Sequence, residues 1–295
     1  MSDAPWFSVA GDGAAITAHT ASERPDLWAR AVRLPTVWPE YNLHGAAVNH
    51  WWPQLDEEFP DFQFLLYDQA GDTVLAVGIT GPLAWDGRDE SLPDGIDTVL
   101  EVIFGQRRQG RPEQPNTLCA LAAEIQPGGR SRGLAAEMLA AMRANAVRNG
   151  LTRLIAPVRP SWKARYPLAP IERYVQWRRE DGRLLDPWLR THERLGARVG
   201  TPLPRSLRIE GTVADWESWV GMPLPESGDY VFPEGLATVH IDRDADLGSY
   251  WEPNVWMIHP EAGARAAGQP AAPASSASQQ RRSAGLLRLQ PPDHL

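Results

Sequence analysis

The chain has 295 residues, 43% of them hydrophobic, with a formal net charge of −8; it is long enough for one large domain or two small ones and has no general attraction to nucleic acid. Its single cysteine, Cys119, excludes an internal disulfide framework and a cysteine-rich metal knot. No run of about 18 apolar residues occurs, and the N-terminus lacks a basic start and a long apolar stretch, so neither a membrane span nor a secretory signal is expected and a cytoplasmic location is the default.

Helical spacing places short helices near residues 25–32 and 44–59, the second offering Val48, Trp51, Trp52, Leu55 and Phe59 on one face. FQFLLYD (62–68) and TVLAVGITG (73–81) read as strands, and Gln69-Ala70-Gly71-Asp72 between them signals a hairpin. A polar stretch at 86–95 precedes a helix expected over 96–106. TLCALAAEI (117–125) reads as a buried strand, followed by a glycine-arginine knot. The next helix carries Ala135, Met138, Leu139, Met142 and Ala146 on one face and stops at Asn149-Gly150. RLIAPV (153–158) is another strand. Strand, tight loop, helix and strand make a βαβ unit, whose crossover is expected to be right-handed.

Asp186-Pro187 opens a further helix, with proline at a permitted first-turn position, and Gly196 ends it. SLRIEGTV and LATVHID are strand-like. Beyond Pro260 the chain turns to a low-complexity mixture that cannot bury enough surface to order itself. The expected organisation is a folded domain over 1–260 and a disordered tail over 261–295, with no internal repeat. The thirteen tryptophans suit a core, although Trp51-Trp52, or Trp162, Trp177 and Trp188, would also suit an apolar pocket.

The knot, EIQPGGRSRGLAAEM (124–138), sets unpaired backbone N–H groups and two arginines where a strand gives way to a helix. A Rossmann fingerprint does not fit its spacing. A P-loop fits Gly128 and Gly133, but Leu134-Ala135 stand where the lysine and hydroxyl belong. A third pattern, [QR]-x-x-G-x-[GA], is met by Arg130, Ser131, Arg132, Gly133, Leu134 and Ala135. In it, successive N–H groups at a helix start converge on a pyrophosphate. Gly133 permits close approach, Ala135 keeps the helix start slim, and Arg130 and Arg132 supply charge. An ordinary solvated turn would carry the same hexapeptide.

The whole run IQPGGRSRGLAAEML, with Pro127 three residues before the loop, resembles the acyl-CoA signature of the GNAT N-acetyltransferase superfamily. HERLGARV (192–199) is similar to that family's late helix, turn and strand. The resemblance implies an α/β fold: a GNAT-type central mixed sheet flanked by helices, here with a loop insertion at 159–188 and the C-terminal tail. It implies acetyl-CoA as donor, without a metal, and the amine of a small molecule or peptide as acceptor, and it leaves room for a homodimer. The strand ending at Ile125 would splay from its neighbour and offer backbone groups to pantetheine and the thioester carbonyl. The family commonly has tyrosine four residues before the glycine that ends the late helix, as general acid for the thiolate. Here that position is His192, which either keeps the role or packs as an ordinary helix residue.

Acyl transfer needs a base for the amine and in-line reactants. Glu124 is the only carboxylate of its strand and the leading base, with an arginine-paired carboxylate as the competing reading; its side chain and that of Ile125 point to opposite faces. Trp162, Arg165 and Arg173 of the insert are candidate acceptor-binding residues under a lid, against a plain solvated loop. The Asp242, Asp244 and Asp246 series has leucine where a calcium loop needs glycine and lacks the closing glutamate, so it is rejected. Two alternatives stay open: a non-catalytic acyl-CoA-binding protein, and a relative with different thioester chemistry.

Overall fold

The chain enters its sheet through an antiparallel pair, β1 (Ser8–Ala10) and β2 (Ala15–Thr20), in a computed structural model that describes residues 5–10, 15–108, 114–127 and 133–262. Helix α1 (Pro25–Ala31) opens on proline, whose missing N–H costs nothing in a first turn. The helix expected over 44–59 is instead broken into α2 (Ala46–Trp51), a 3-10 turn (Trp52–Gln54) and α3 (Leu55–Glu58). Pro53 cannot donate the hydrogen bond that would carry a helix through it.

The hairpin forms as expected between β3 (Phe64–Asp68) and β4 (Thr73–Leu83), its turn closed by Asp68 Oδ1 accepting from the N–H groups of Ala70 and Gly71. Then come α4 (Ile96–Arg108), β5 (Thr117–Ile125), α5 (Ala135–Arg148) and β6 (Arg153–Val158). The strand-loop-helix-strand unit is therefore present, and β5 and β6 are parallel. The insert contributes only α6 (Ile171–Tyr174) and short turns before α7 (Pro187–Arg194). Asp186 caps α7, its side chain accepting from the N–H groups of Trp188 and Leu189.

After β7 (Arg198–Gly211) a capping box at Thr212 and Asp215 starts α8 (Val213–Val220), and Gly221 ends it with a left-handed φ of 65°. Two short strands, β8 (Gly228–Tyr230) and β9 (Val239–Asp242), lead to β10 (Leu247–Ile258). The sequence motifs did not mark β10, yet it pairs with β6, β7 and β9. Pro253 interrupts its pattern and sits at a register shift between Glu252 and Asn254, where a missing ladder donor is tolerated.

The mixed sheet runs β1-β2-β3-β4-β5-β6-β10-β9-β8, with β7 on β10. One face packs Met138, Leu139 and Met142 of α5 on Leu118, Ala120, Val158 and Val255. The other packs Leu27, Leu55, Val99 and Ile103 on Val77, Cys119, Ile155 and Trp256. A third cluster joins Tyr41, Trp216, Phe232 and Tyr250 around the C-terminal strands. This α/β arrangement, a large mixed sheet with helices on both faces, is the fold class the resemblance implied. Residues 263–295, which hold nearly all of the expected tail, lie outside the described residues.

Candidate active site

The parallel ladder between β5 and β6 runs from Thr117↔Arg153 to Cys119↔Ile155 and stops there. Beyond it β5 stays in register with β4 as far as Ala76↔Ile125, while β6 turns to β10 and reaches Val158↔Val255. The two halves of the sheet part company, as the resemblance implied for the strand ending at Ile125. A cavity of about 940 Å³ enters the gap, with Ala120–Gln126 on one wall and Ala156–Arg159 on the other. Alanines at 120, 122 and 123 keep that wall slim, so a ligand can lie against the strand itself. Trp28, Trp38, Trp52 and Trp188 line it. Trp51 does not: it stacks on Phe104 at 4.7 Å between ring centroids.

The opposite ends of the cavity carry different chemistry. Ala135, Leu139 and Met142 of α5, with Pro187, Trp188, Thr191 and His192 of α7, form the side shared with the α5 face of the sheet. Gly133, at the start of that side, has a φ of +70° and open space where a side chain would stand, a conformation that suits glycine and leaves the backbone approachable. Leu134 is buried beneath it. Arg130, Ser131 and Arg132 of the proposed phosphate loop lie outside the described residues.

On the other face, Glu124 Oε1 accepts from Trp38 Nε1 at 3.0 Å, and burial raises the Glu124 pKa above the ordinary carboxylate value. No arginine pairs with it among the described residues, so the competing ion-pair reading is not realised there. Ile125, on the alternate face of the strand, packs toward the α5 side and also lines the cavity. The same cavity is lined by a polar knot that sequence reasoning missed. Glu252, fully buried, pairs with Arg159 Nε and accepts from Tyr250 OH at 2.6 Å and Asn42 Nδ2 at 3.1 Å. Arg159 also donates to Tyr41 OH and to the Glu234 carbonyl, at 2.9 and 2.8 Å. Asn254, two residues further along β10 than Glu252 and 0% exposed, lines the cavity with neither side-chain amide atom hydrogen-bonded. The available signal was a glutamate and an asparagine opening the apolar run in WEPNVWMI.

His192 is 1% exposed; its Nδ1 lies 3.0 Å from Nε2 of His259 and its Nε2 has no partner. Burial, then the neighbouring His259, holds the His192 pKa well below 6.5, and burial, then Arg143, lowers His259 to about 4. Both rings are thus neutral at pH 7. Unfolded, each takes up a proton near pH 6.5; folded, each resists it. The unfolded state therefore binds more protons below pH 6.5, and stability falls as pH drops from 6.5 toward 4. At pH 5 the loss is on the order of 2 kcal/mol from His259 alone. Urea unfolding at pH 7 and pH 5 should show this loss, and a His192→Phe/His259→Leu double variant should show much less of it. An equal loss in both proteins would refute the assignment.

The insert contributes Arg159, Ser161, Pro187 and Trp188 to the cavity lining. Arg165 lies over the ring of Trp162 at 4.4 Å and Arg173 is exposed on α6; none of Trp162, Arg165 and Arg173 lines the cavity. The insert is tied down by Asp186, which accepts from Trp162 N at 2.7 Å and Tyr174 OH at 2.8 Å while capping α7. Lys163, also buried, donates to the carbonyls of Tyr166 and Leu236. These bonds fix the start of α7 and with it His192. Among the described residues no cluster of metal-ligating side chains occurs and no helix is long and apolar enough to cross a membrane.

No protein-family model matches the chain. It is 30% identical over 271 aligned residues, covering 82% of this chain and 93% of the other, to the arginine N-acetyltransferase avaD of Aspergillus versicolor. Among solved structures it is similar to the loading GNATL domain of CurA from Lyngbya majuscula, with a TM-score of 0.48, 16% identity and coverage of 83% and 96%. It is also similar to arylalkylamine N-acetyltransferase 2 from Aedes aegypti, with a TM-score of 0.40, 14% identity and coverage of 82% and 97%.

Proposed function

The chain belongs to the GNAT superfamily of acyl-CoA-dependent N-acetyltransferases, and we propose that it moves an acetyl group from acetyl-CoA to a small amine carrying a second positive charge, arginine being the acceptor named for its fungal relative. The observation that supports this reading is the cavity threading the parted strands, with the half-buried Glu124 carboxylate on one face of the sheet and the buried His192 imidazole on the other. Three carboxylates, Glu124, Glu234 and Glu252, share its wall with one guanidinium, Arg159, among the described residues. That balance favours a cationic acceptor.

In this reading the thioester lies in the gap against Ala120–Ile125, and the diphosphate lies toward the loop 130–135 at the start of α5. The amine approaches from the Trp38 side. Glu124 takes its proton as nitrogen attacks the carbonyl carbon, and the raised pKa suits a base that must capture a proton. Holding the reactants in line across a narrow gap supplies the remaining advantage. As the C–S bond breaks, the electron pair moves onto sulfur, which takes the proton of His192 Nε2.

Thiol release from acetyl-CoA tests the reading. With arginine as acceptor, kcat/KM should exceed that with norleucine, which has no side-chain cation, by about 30-fold or more, the worth of one charge-assisted hydrogen bond of ~2 kcal/mol. Equal values would remove the cationic acceptor. Binding of acetyl-CoA without thiol release for any amine would remove catalysis.

A further inference from the structure

His192 lines the cavity and turns Nδ1 toward a neighbour, while its Nε2, buried, has no partner. The neighbour is a second histidine that lines no part of the cavity. His259 follows β10, where its backbone N–H donates to the Leu154 carbonyl at 3.0 Å. It is held by the sheet, not by α7. Trp188 packs edge-on against the His192 ring at 4.5 Å, so that ring has little room to turn. Two neutral imidazoles 3.0 Å apart share one proton between Nδ1 of His192 and Nε2 of His259. Where it resides decides what the cavity meets. Were it on His192 Nδ1, Nε2 would be a bare acceptor, useless to a departing thiolate. On His259 Nε2, it leaves His192 its own proton on Nε2, an unpartnered donor on a residue that lines the cavity.

We propose that His259 is a positioning residue: its Nε2–H donates to His192 Nδ1 and thereby keeps the proton of His192 on Nε2, ready for the leaving sulfur. The proposal rests on the cavity being the acyl-transfer site. The proton balance closes without a further reagent. As sulfur takes the C–S electron pair it receives the His192 Nε2 proton. His192 Nδ1 takes the His259 Nε2 proton, and His259, which keeps 5% exposure, regains one at Nδ1 from water. Glu124 returns the proton of the amine to solvent. When the thiol has left, a water in the emptied cavity protonates His192 Nε2 and the shifts reverse.

The test uses the full chain labelled with 15N-histidine, together with His259→Leu, which removes the bond, and His259→Gln, whose side-chain N–H can replace it. At pH 7.5 the long-range 15N–1H spectrum should show His192 protonated at Nε2 in the wild type and in His259→Gln. In His259→Leu, kcat should fall about 10²-fold, with acetyl-CoA affinity within twofold of wild type by calorimetry. His259→Gln should recover to within about tenfold of the wild-type kcat. A wild-type His192 protonated at Nδ1 would overturn the proposal, whether or not the leucine variant folds. So would a folded His259→Leu whose kcat lies within twofold of wild type. A wild type that neither binds acetyl-CoA nor releases thiol would instead defeat the site assignment, and the spectrum would still report the tautomer.

Discussion

Glu124→Gln should lower kcat by about 10²–10³-fold, the usual worth of a positioned general base, while acetyl-CoA binds with unchanged affinity. The substitution keeps the volume and can still accept from Trp38 Nε1, so the wall of the gap stays in place. What it removes is the ability to take a proton. The pH profile gives an independent sign. Burial raises the Glu124 pKa, so the carboxylate is protonated and idle at low pH, and kcat/KM should climb as pH rises through that raised value. In Glu124→Gln this limb should vanish. Steady-state thiol release across pH 5 to 9, with calorimetry for the donor, would measure both. A variant retaining more than about a tenth of the activity, with the limb intact, would move the base elsewhere in the cavity.

Arg159→Met should cost about 3–5 kcal/mol of stability, because it strands a buried carboxylate. Glu252 is 1% exposed, and without Arg159 it keeps only neutral donors, chiefly Tyr250 OH and Asn42 Nδ2. Burial first, and then the Glu252 charge, hold the Tyr250 pKa far above its ordinary value, so that hydroxyl remains a donor. The substitution also removes one of the two donors to the Glu234 carbonyl, leaving it Tyr41 OH. For a domain of this size the loss corresponds to a Tm lower by roughly 10 °C. Adding Glu252→Gln should restore much of it, because a neutral amide tolerates burial where an unpaired charge does not. A single variant within about 1 kcal/mol of wild type, or a double variant no better than the single, would show that the pair carries no such weight.

Local rules were strong in the middle of the chain. The strand at 117–125, the helix reaching Asn149-Gly150 and the strand at 153–158 were readable because each is fixed by neighbours a few residues away. Glu124 was nominated for the same reason, as the one carboxylate of its strand. The 44–59 segment is not one helix because Pro53 interrupts it, a local effect that overrides the apolar spacing around it. The expectation for Trp162, Arg165 and Arg173 rests on the composition of the insert alone, and these three residues are not among those lining the cavity. Nothing local says whether a cationic loop faces a cavity or the solvent; here Arg159, Ser161, Pro187 and Trp188 of the insert line the cavity while Asp186 and Lys163 tie down the stretch between them.

By itself, then, the amino-acid order determined the βαβ unit with its glycine-arginine loop, the family resemblance that unit carries and the carboxylate beside it, since hydrophobic period, proline and glycine act over a few residues. The folded arrangement decided where the sheet parts, and which distant side chains meet there: His192 with His259, 67 positions apart, and Arg159 with Glu252, 93 apart. Both meetings depend on the register of β10, whose last seven residues are buried on both faces. A strand without alternation carries no signal of its own register or partners, so only the packed sheet sets them.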